Sequence, residues 1–192
     1  MNLKVTLLLA ACITASFTTN VMANPNSTVN SHNEVHKKES SVEYGELTQV
    51  MQDFGQYAFT MSKPNATVGI VVFYDLNCPY CNQFLATSVP ILVDHGVSVS
   101  LLPYPKDGLD SATASQMVDA WKWRNPIAKA KYPQIPNQIV RNFTKEDLIK
   151  IYDFADKEAH VNGTPFTLLP TGESVSGAFK AEDLIKYFDS IK

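Results

Sequence analysis

Val68–Tyr74, a run rich in β-branched and aromatic residues, leads through Asp75-Leu76-Asn77 into Cys78-Pro79-Tyr80-Cys81 and an apolar-patterned stretch reaching Asp94. That order reads as a buried strand, a short turn and a helix, with a Cys-x-x-Cys pair at the junction. Pro79 falls at a first-turn position, where its missing N–H costs nothing. A sulfur at the start of the helix faces unpaired N–H groups and the positive end of the helix dipole. Both favour thiolate over thiol. Cys81, one turn further in, is more sheltered. The spacing therefore predicts Cys78 as the attacking or attacked sulfur and Cys81 as the resolving thiol of a redox-active pair.

Other uses of the pair fail on counting. The chain has three cysteines in 192 residues, two too few for a Cys₄ zinc site once Cys12 is set aside. His95 follows Cys81 after thirteen residues, with no second histidine three to five residues beyond it. Residue 82 is Asn, so the Cys-x-x-Cys-His pattern of haem attachment is absent. A purely structural disulfide across so small a loop would constrain the unfolded chain little. No metal and no cofactor is expected. The formal charge of −3 argues against an electrostatic nucleic-acid binder, and 45% apolar content suits one soluble domain.

Met1–Ala23 reads as an export leader: Lys4, an apolar run over Val5–Phe17, and a small-residue cleavage pattern at Val21-Met22-Ala23. The mature chain would begin at Asn24 in the periplasm, its formal charge changing from −3 to −4 with the loss of Lys4. Two rival readings are a lipoprotein modified at Cys12, within Leu9-Ala10-Ala11-Cys12, and a retained anchor. The first leaves an unusually short leader, and the second has too short an apolar run for a membrane span. Export places Cys78 and Cys81 where thiols normally become disulfides.

Residues 24–41 are polar and rich in Asn and Ser, a flexible linker in which His32 and His36 read as solvated. Residues 42–63 carry Leu47, Val50, Met51, Phe54, Tyr57, Ala58 and Met61 at spacings of three and four, which predicts an amphipathic linker helix. Its apolar stripe packs on its own domain or, alternatively, on the same helix of a second copy. Residues 64–192 read as an α/β catalytic domain. Strands are expected at Val68–Tyr74, Val97–Leu102, Thr164–Pro170 and Ser174–Ser176, the last two joined by a Thr171-Gly172 turn. Helices are expected at Pro79–Asp94, where Pro90 introduces a kink or an early end, and at Ser111–Arg124. Others follow from a Thr144 cap to Asp156 and over Ala181–Ile191. The prolines at 126, 133 and 136 argue against long helices between 125 and 142.

The pair with its strand and helix, together with Val161-Asn162-Gly163-Thr164-Pro165-Phe166, resembles the DsbC/DsbG group of periplasmic disulfide isomerases. Tyr104-Pro105-Lys106-Asp107-Gly108-Leu109-Asp110-Ser111, Trp121 and the Leu169-Pro170-Thr171-Gly172 hairpin extend that resemblance over about two thirds of the chain. The resemblance implies a thioredoxin-like fold with a helical insertion between the Cys-x-x-Cys helix and the strand after Pro165. It implies a cis Thr164–Pro165 bond, where base rates would give trans, in a loop facing the cysteines. Thr164 and Pro165 would then bind substrate, offering backbone to an extended client. Tyr80 would add a flat exposed ring, with burial against the helix as the alternative reading. Implied partners are exported clients with disulfides or thiols, and a membrane-bound redox partner that reduces or oxidises the pair.

Two departures bear on activity. That group carries a folded dimerisation domain before its linker helix, whereas here only residues 24–62 lie between leader and catalytic domain; a monomer or a helix-mediated homodimer is expected. Its extra disulfide has no counterpart, since Lys122 follows Trp121. The buried acid of thioredoxin, six residues before the first cysteine, is Val72 here. Asp75 reads as structural at the strand end or as a tuner of the thiolate, and His160 as a loop-packing residue. The resulting expectation is an exported thiol:disulfide oxidoreductase, an isomerase/reductase or an oxidase of client disulfides acting through Cys78 and Cys81, with a non-catalytic client-binding or assembly factor of an envelope machine as the alternative.

Overall fold

The computed structural model describes residues 45–131 and 141–191. The leader with Cys12, the polar linker with His32 and His36, and Pro133 and Pro136 lie outside the described residues. Twelve elements follow in order: α1 (Gly45–Phe54), a 3₁₀ turn (Gly55–Tyr57), β1 (Phe59–Met61), β2 (Val68–Tyr74), α2 (Pro79–Asp94), β3 (Val97–Pro103), α3 (Ala112–Ala120), α4 (Pro126–Lys131), α5 (Lys145–Lys157), β4 (Phe166–Leu168), β5 (Ser174–Ser176) and α6 (Ala181–Ser190). The strands form one sheet in the order β1-β3-β2-β4-β5. Among the described strands only β2 and β3 run parallel, Val68 opposite Val97 and Tyr74 opposite Pro103, with α2 as the crossover between them.

β2 is central because Ile70–Tyr74 are buried on both faces. Successive side chains point to opposite faces of a strand. Tyr74 reaches Asn82 of α2 on one face, while Phe73 stacks on Phe154 of α5 on the other, with ring centroids 6.5 Å apart. The sheet is thus a middle layer between helices, α6 packing beside α2. α3, α4 and α5 form the helical insertion between α2 and β4. Pro90 lies inside α2, which continues to Asp94.

The expected helix over 42–63 differs in extent. α1 stops at Phe54, where Gly55 weakens further helix, and Phe59–Met61 pairs antiparallel with Val99–Leu101 of β3. Two anchors fix this switch. Tyr57 donates its hydroxyl to the Asp147 carboxylate at 2.8 Å, and the Arg141 guanidinium donates to the Tyr57 carbonyl at 2.6 Å. The apolar positions after residue 55 therefore serve an edge strand. The boundary drawn at residue 64 also moves, because β1 is part of the domain's sheet. The α1 stripe packs on the protein's own core: Val50 is fully buried, and Phe54 meets Phe154 at 5.5 Å.

Candidate functional site

The site is built where β2 ends. Asp75 closes an Asx turn, its Oδ1 accepting the Asn77 N–H at 2.7 Å, so the chain reverses within three residues and delivers Cys78 to the helix start. Cys78 has extended backbone (φ −78°, ψ 120°) and serves as the N-cap of α2, with Pro79 next in the first turn. Its carbonyl accepts the Asn82 N–H at 3.1 Å, starting the helix. The site around the sulfurs is closed by the loop before β4. There the Thr164–Pro165 bond is cis, and Cys78 Sγ donates to the Thr164 carbonyl at 3.3 Å. Cys78 and Thr164, 86 positions apart in sequence, are thus brought together.

Cys78 and Cys81 are both free thiols. Burial pulls the Cys78 thiol up, yet hydrogen bonds prevail and lower its pKa. They come from the Thr164 side chain, from the N–H groups of Cys81 and Tyr80 at the open end of α2, and from the Cys81 thiol. The Thr164 hydroxyl is buried. Beside both sulfurs, it favours their charged forms. Cys81 is fully buried, and burial pushes its thiol up to about 12 even though the Asp75 N–H and Thr164 oppose the rise. The Tyr74 phenol, buried below the pair, is raised as well, by burial and by the nearby sulfurs and Asp75. One sulfur is poised to ionise and the other to hold its proton.

Of the remaining expected residues, Tyr80 is 63% exposed beside the pair, which excludes burial against the helix. Pro165 is buried, and its carbonyl accepts the Gly177 N–H at 2.8 Å, tying the loop to the end of β5. His160 is exposed with φ 51°, and the Val161 N–H reaches back to the Ala155 carbonyl at 2.8 Å. It lies just beyond the end of α5, whose C-cap is Glu158, in a left-handed turn. His95 caps α2 on the Ile91 carbonyl. Sequence reasoning missed a supporting shell. Asn77 donates its amide to Thr113 Oγ1 at 2.8 Å and Gln116 Oε1 at 3.2 Å. Asn82 accepts from the Tyr74 hydroxyl at 2.7 Å and donates to the Leu76 carbonyl at 3.3 Å. The Asp-x-Asn spelling of the turn was a legible signal, but its partners on α3 were not.

The thioredoxin-like domain family model matches residues 56–192. The thiol:disulfide interchange protein DsbC of Haemophilus influenzae is 28% identical over 120 residues, covering 61% of this chain and 50% of that protein. The DsbC of Pasteurella multocida is 30% identical over 120 residues, with 60% and 50% covered. The chain therefore matches about half the length of these relatives. A periplasmic thioredoxin-like protein from Salmonella enterica serovar Typhimurium shares the fold, with a TM-score of 0.58 at 19% identity over 76% of this chain and 95% of that one. With the family model spanning most of the chain and the Cys78–Cys81 pair seated at the start of α2, this protein belongs to the thioredoxin-like domain family.

Proposed function

We propose that the protein is a thiol:disulfide oxidoreductase of client proteins, an interchange enzyme acting as isomerase, reductase or oxidase, working in the periplasm. The observation that carries this reading is the placement of two free thiols at the start of α2, Cys78 at the helix N-cap with its Sγ 3.3 Å from the Thr164 carbonyl and Cys81 fully buried one turn further in. The Cys78 thiolate attacks a client disulfide, one client sulfur leaves, and a mixed disulfide forms. Cys81 then loses its proton and attacks Cys78 Sγ, and the second client sulfur leaves with the electron pair of the broken bond and gains a proton. The client disulfide is reduced by two electrons and the pair oxidised by two; run in reverse, the same steps oxidise a client.

The Thr164 carbonyl accepts from the Cys78 S–H in the dithiol state. Mixed-disulfide formation consumes that donor and frees the carbonyl for a client N–H, so Thr164 and Pro165 engage client backbone as the covalent bond forms. Exposed Tyr80 lies on the approach to the pair and offers its ring to unfolded segments. Periplasmic location is supported by the leader pattern at Met1–Ala23 and by the fold shared with a periplasmic protein. Residues 1–23 are proposed as the leader and residues 24–41 as the linker. A membrane-bound redox partner would reset the pair. The packing of α1 on its own core favours a monomer over a helix-mediated dimer.

The test is insulin reduction and refolding of scrambled ribonuclease by the purified protein. Cys78→Ser is expected to abolish turnover, and Cys81→Ser to accumulate client mixed disulfides on non-reducing gels. Full turnover by Cys78→Ser would overturn the reading. A double cysteine variant that still performs the cellular task would point to the client-binding alternative.

A further inference from the structure

Asp75 touches more of the site than its place outside the Cys-x-x-Cys motif suggests. Its side chain is fully buried, and its two oxygens accept two backbone N–H groups from different loops: Asn77 on Oδ1 at 2.7 Å and Lys106 on Oδ2 at 2.9 Å. The first belongs to the turn carrying Cys78 and the second to the segment after β3. Through its own backbone, Asp75 meets both cysteines. Its carbonyl accepts the Cys78 N–H at 3.3 Å, and its N–H donates to Cys81 Sγ at 3.5 Å. The segment after β3 is itself fixed, because the Tyr104 N–H donates to the Tyr74 carbonyl at 2.9 Å and the Tyr104 hydroxyl to the Val161 carbonyl at 3.3 Å.

We propose that Asp75 is a positioning residue for the second half of the exchange: its carboxylate clamps the cysteine turn to the Tyr104–Lys106 segment and so holds its own N–H on the Cys81 sulfur. The inference rests on the reading of Cys78–Cys81 as the exchange pair. The resolving step needs Cys81 as a thiolate inside the protein, where water is scarce and a charge is costly. A backbone N–H already aimed at that sulfur becomes a charge-assisted donor at the moment the thiolate forms. No rearrangement is then needed. The carboxylate acts through this donor, and the reacting atoms remain the three sulfurs of client, Cys78 and Cys81. Its own charge works against a neighbouring thiolate, so only the clamp accounts for a gain in rate.

Ellman's reagent separates the two halves in one stopped-flow trace. The first thionitrobenzoate is released as Cys78 attacks and the second as Cys81 resolves the mixed disulfide. In Asp75→Ala both loop acceptors are lost, and the ratio of second-phase to first-phase rate is expected to fall about tenfold, the effect of losing one charge-assisted hydrogen bond. Asp75→Asn keeps one acceptor oxygen and is expected to restore part of the loss, the ratio falling about threefold. Because loss of the charge favours a thiolate, an unchanged or raised ratio in the folded variants would overturn the proposal. Should Asp75→Ala not fold, Asp75→Asn still decides. An independent measurement uses the Cys78→Ser protein, whose Asp75 amide proton resonance is expected to move when Cys81→Ala is added; an unmoved resonance would also overturn it. Absence of the first phase in the parent protein would instead strike the exchange reading itself.

Discussion

Cys78 and Cys81 lie one helical turn apart, and their surroundings push their thiols in opposite directions. Alkylation of Cys78 by iodoacetamide in Cys81→Ser is therefore expected to stay fast below the usual thiol range, whereas Cys81 in Cys78→Ser should react only as pH approaches 12. The linkage has a definite sign. A thiol raised in the folded state contributes stability that is fully present below its usual 9.0 and lost as pH rises through about 12. Cys78→Ser should thus lose stability across that window, on the order of 4 kcal/mol, and the double serine variant should not show this loss, as read by urea unfolding at each pH. Cys78 has the opposite sign: its stabilisation is present above 9.0 and lost as pH falls through its lowered pKa. At this scale the sequence was highly legible. The helix-start placement of Cys78 follows from Pro79 and the strand before it, whereas the Thr164 carbonyl under its sulfur comes from a residue 86 positions away.

Among the elements, α5 shows how local spelling and tertiary contact combine. Thr144 caps it, accepting the Asp147 N–H on its hydroxyl while the Asp147 carboxylate accepts the Thr144 N–H at 3.0 Å. This capping box was visible as Thr-x-x-Asp. The Tyr57 hydroxyl on the same carboxylate was not, because Tyr57 lies 90 residues upstream. Thr144→Ala is expected to cost about 1 kcal/mol in urea unfolding. Burial raises the Asp147 carboxyl, but hydrogen bonds from Tyr57 and Thr144 outweigh it and lower the pKa. That stabilisation is present above the usual 3.8 and lost as pH falls below it, so Asp147→Asn should flatten the acid limb of the stability curve. At the other end of α5, exposed His160 holds a left-handed backbone (φ 51°). His160→Val should cost about 1–2 kcal/mol from backbone strain, against well under 1 kcal/mol for His160→Gly, with disulfide reduction retained in both.

At the scale of the whole molecule, the segment before β2 belongs to the fold. Val50 is fully buried, Arg141 donates to the carbonyls of Tyr57 and Ala58, and β1 extends the sheet beside β3. Val50→Ala is therefore expected to cost about 1.5–3 kcal/mol, with far-UV and near-UV signals still melting in one coincident transition. An early transition confined to the helical signal would show instead that α1 is an independent linker.

Local chemistry in the chain dictated the strand and helix at 68–94, the α5 cap, the turn at Thr171-Gly172 and the two sulfurs, because each depends on neighbours within a few residues. Distant packing decided where α1 ended and β1 began, since period-three and period-two spacings overlap across residues 54–61 and pairing with β3 broke the tie. It also placed Thr164 on Cys78 and Asp75 between two loops. Hydrogen-bond partners many residues apart leave no periodicity to read. The cysteine pair was written in the chain; the environment that sets the two thiols apart arises when β2, α2 and the loop before β4 meet.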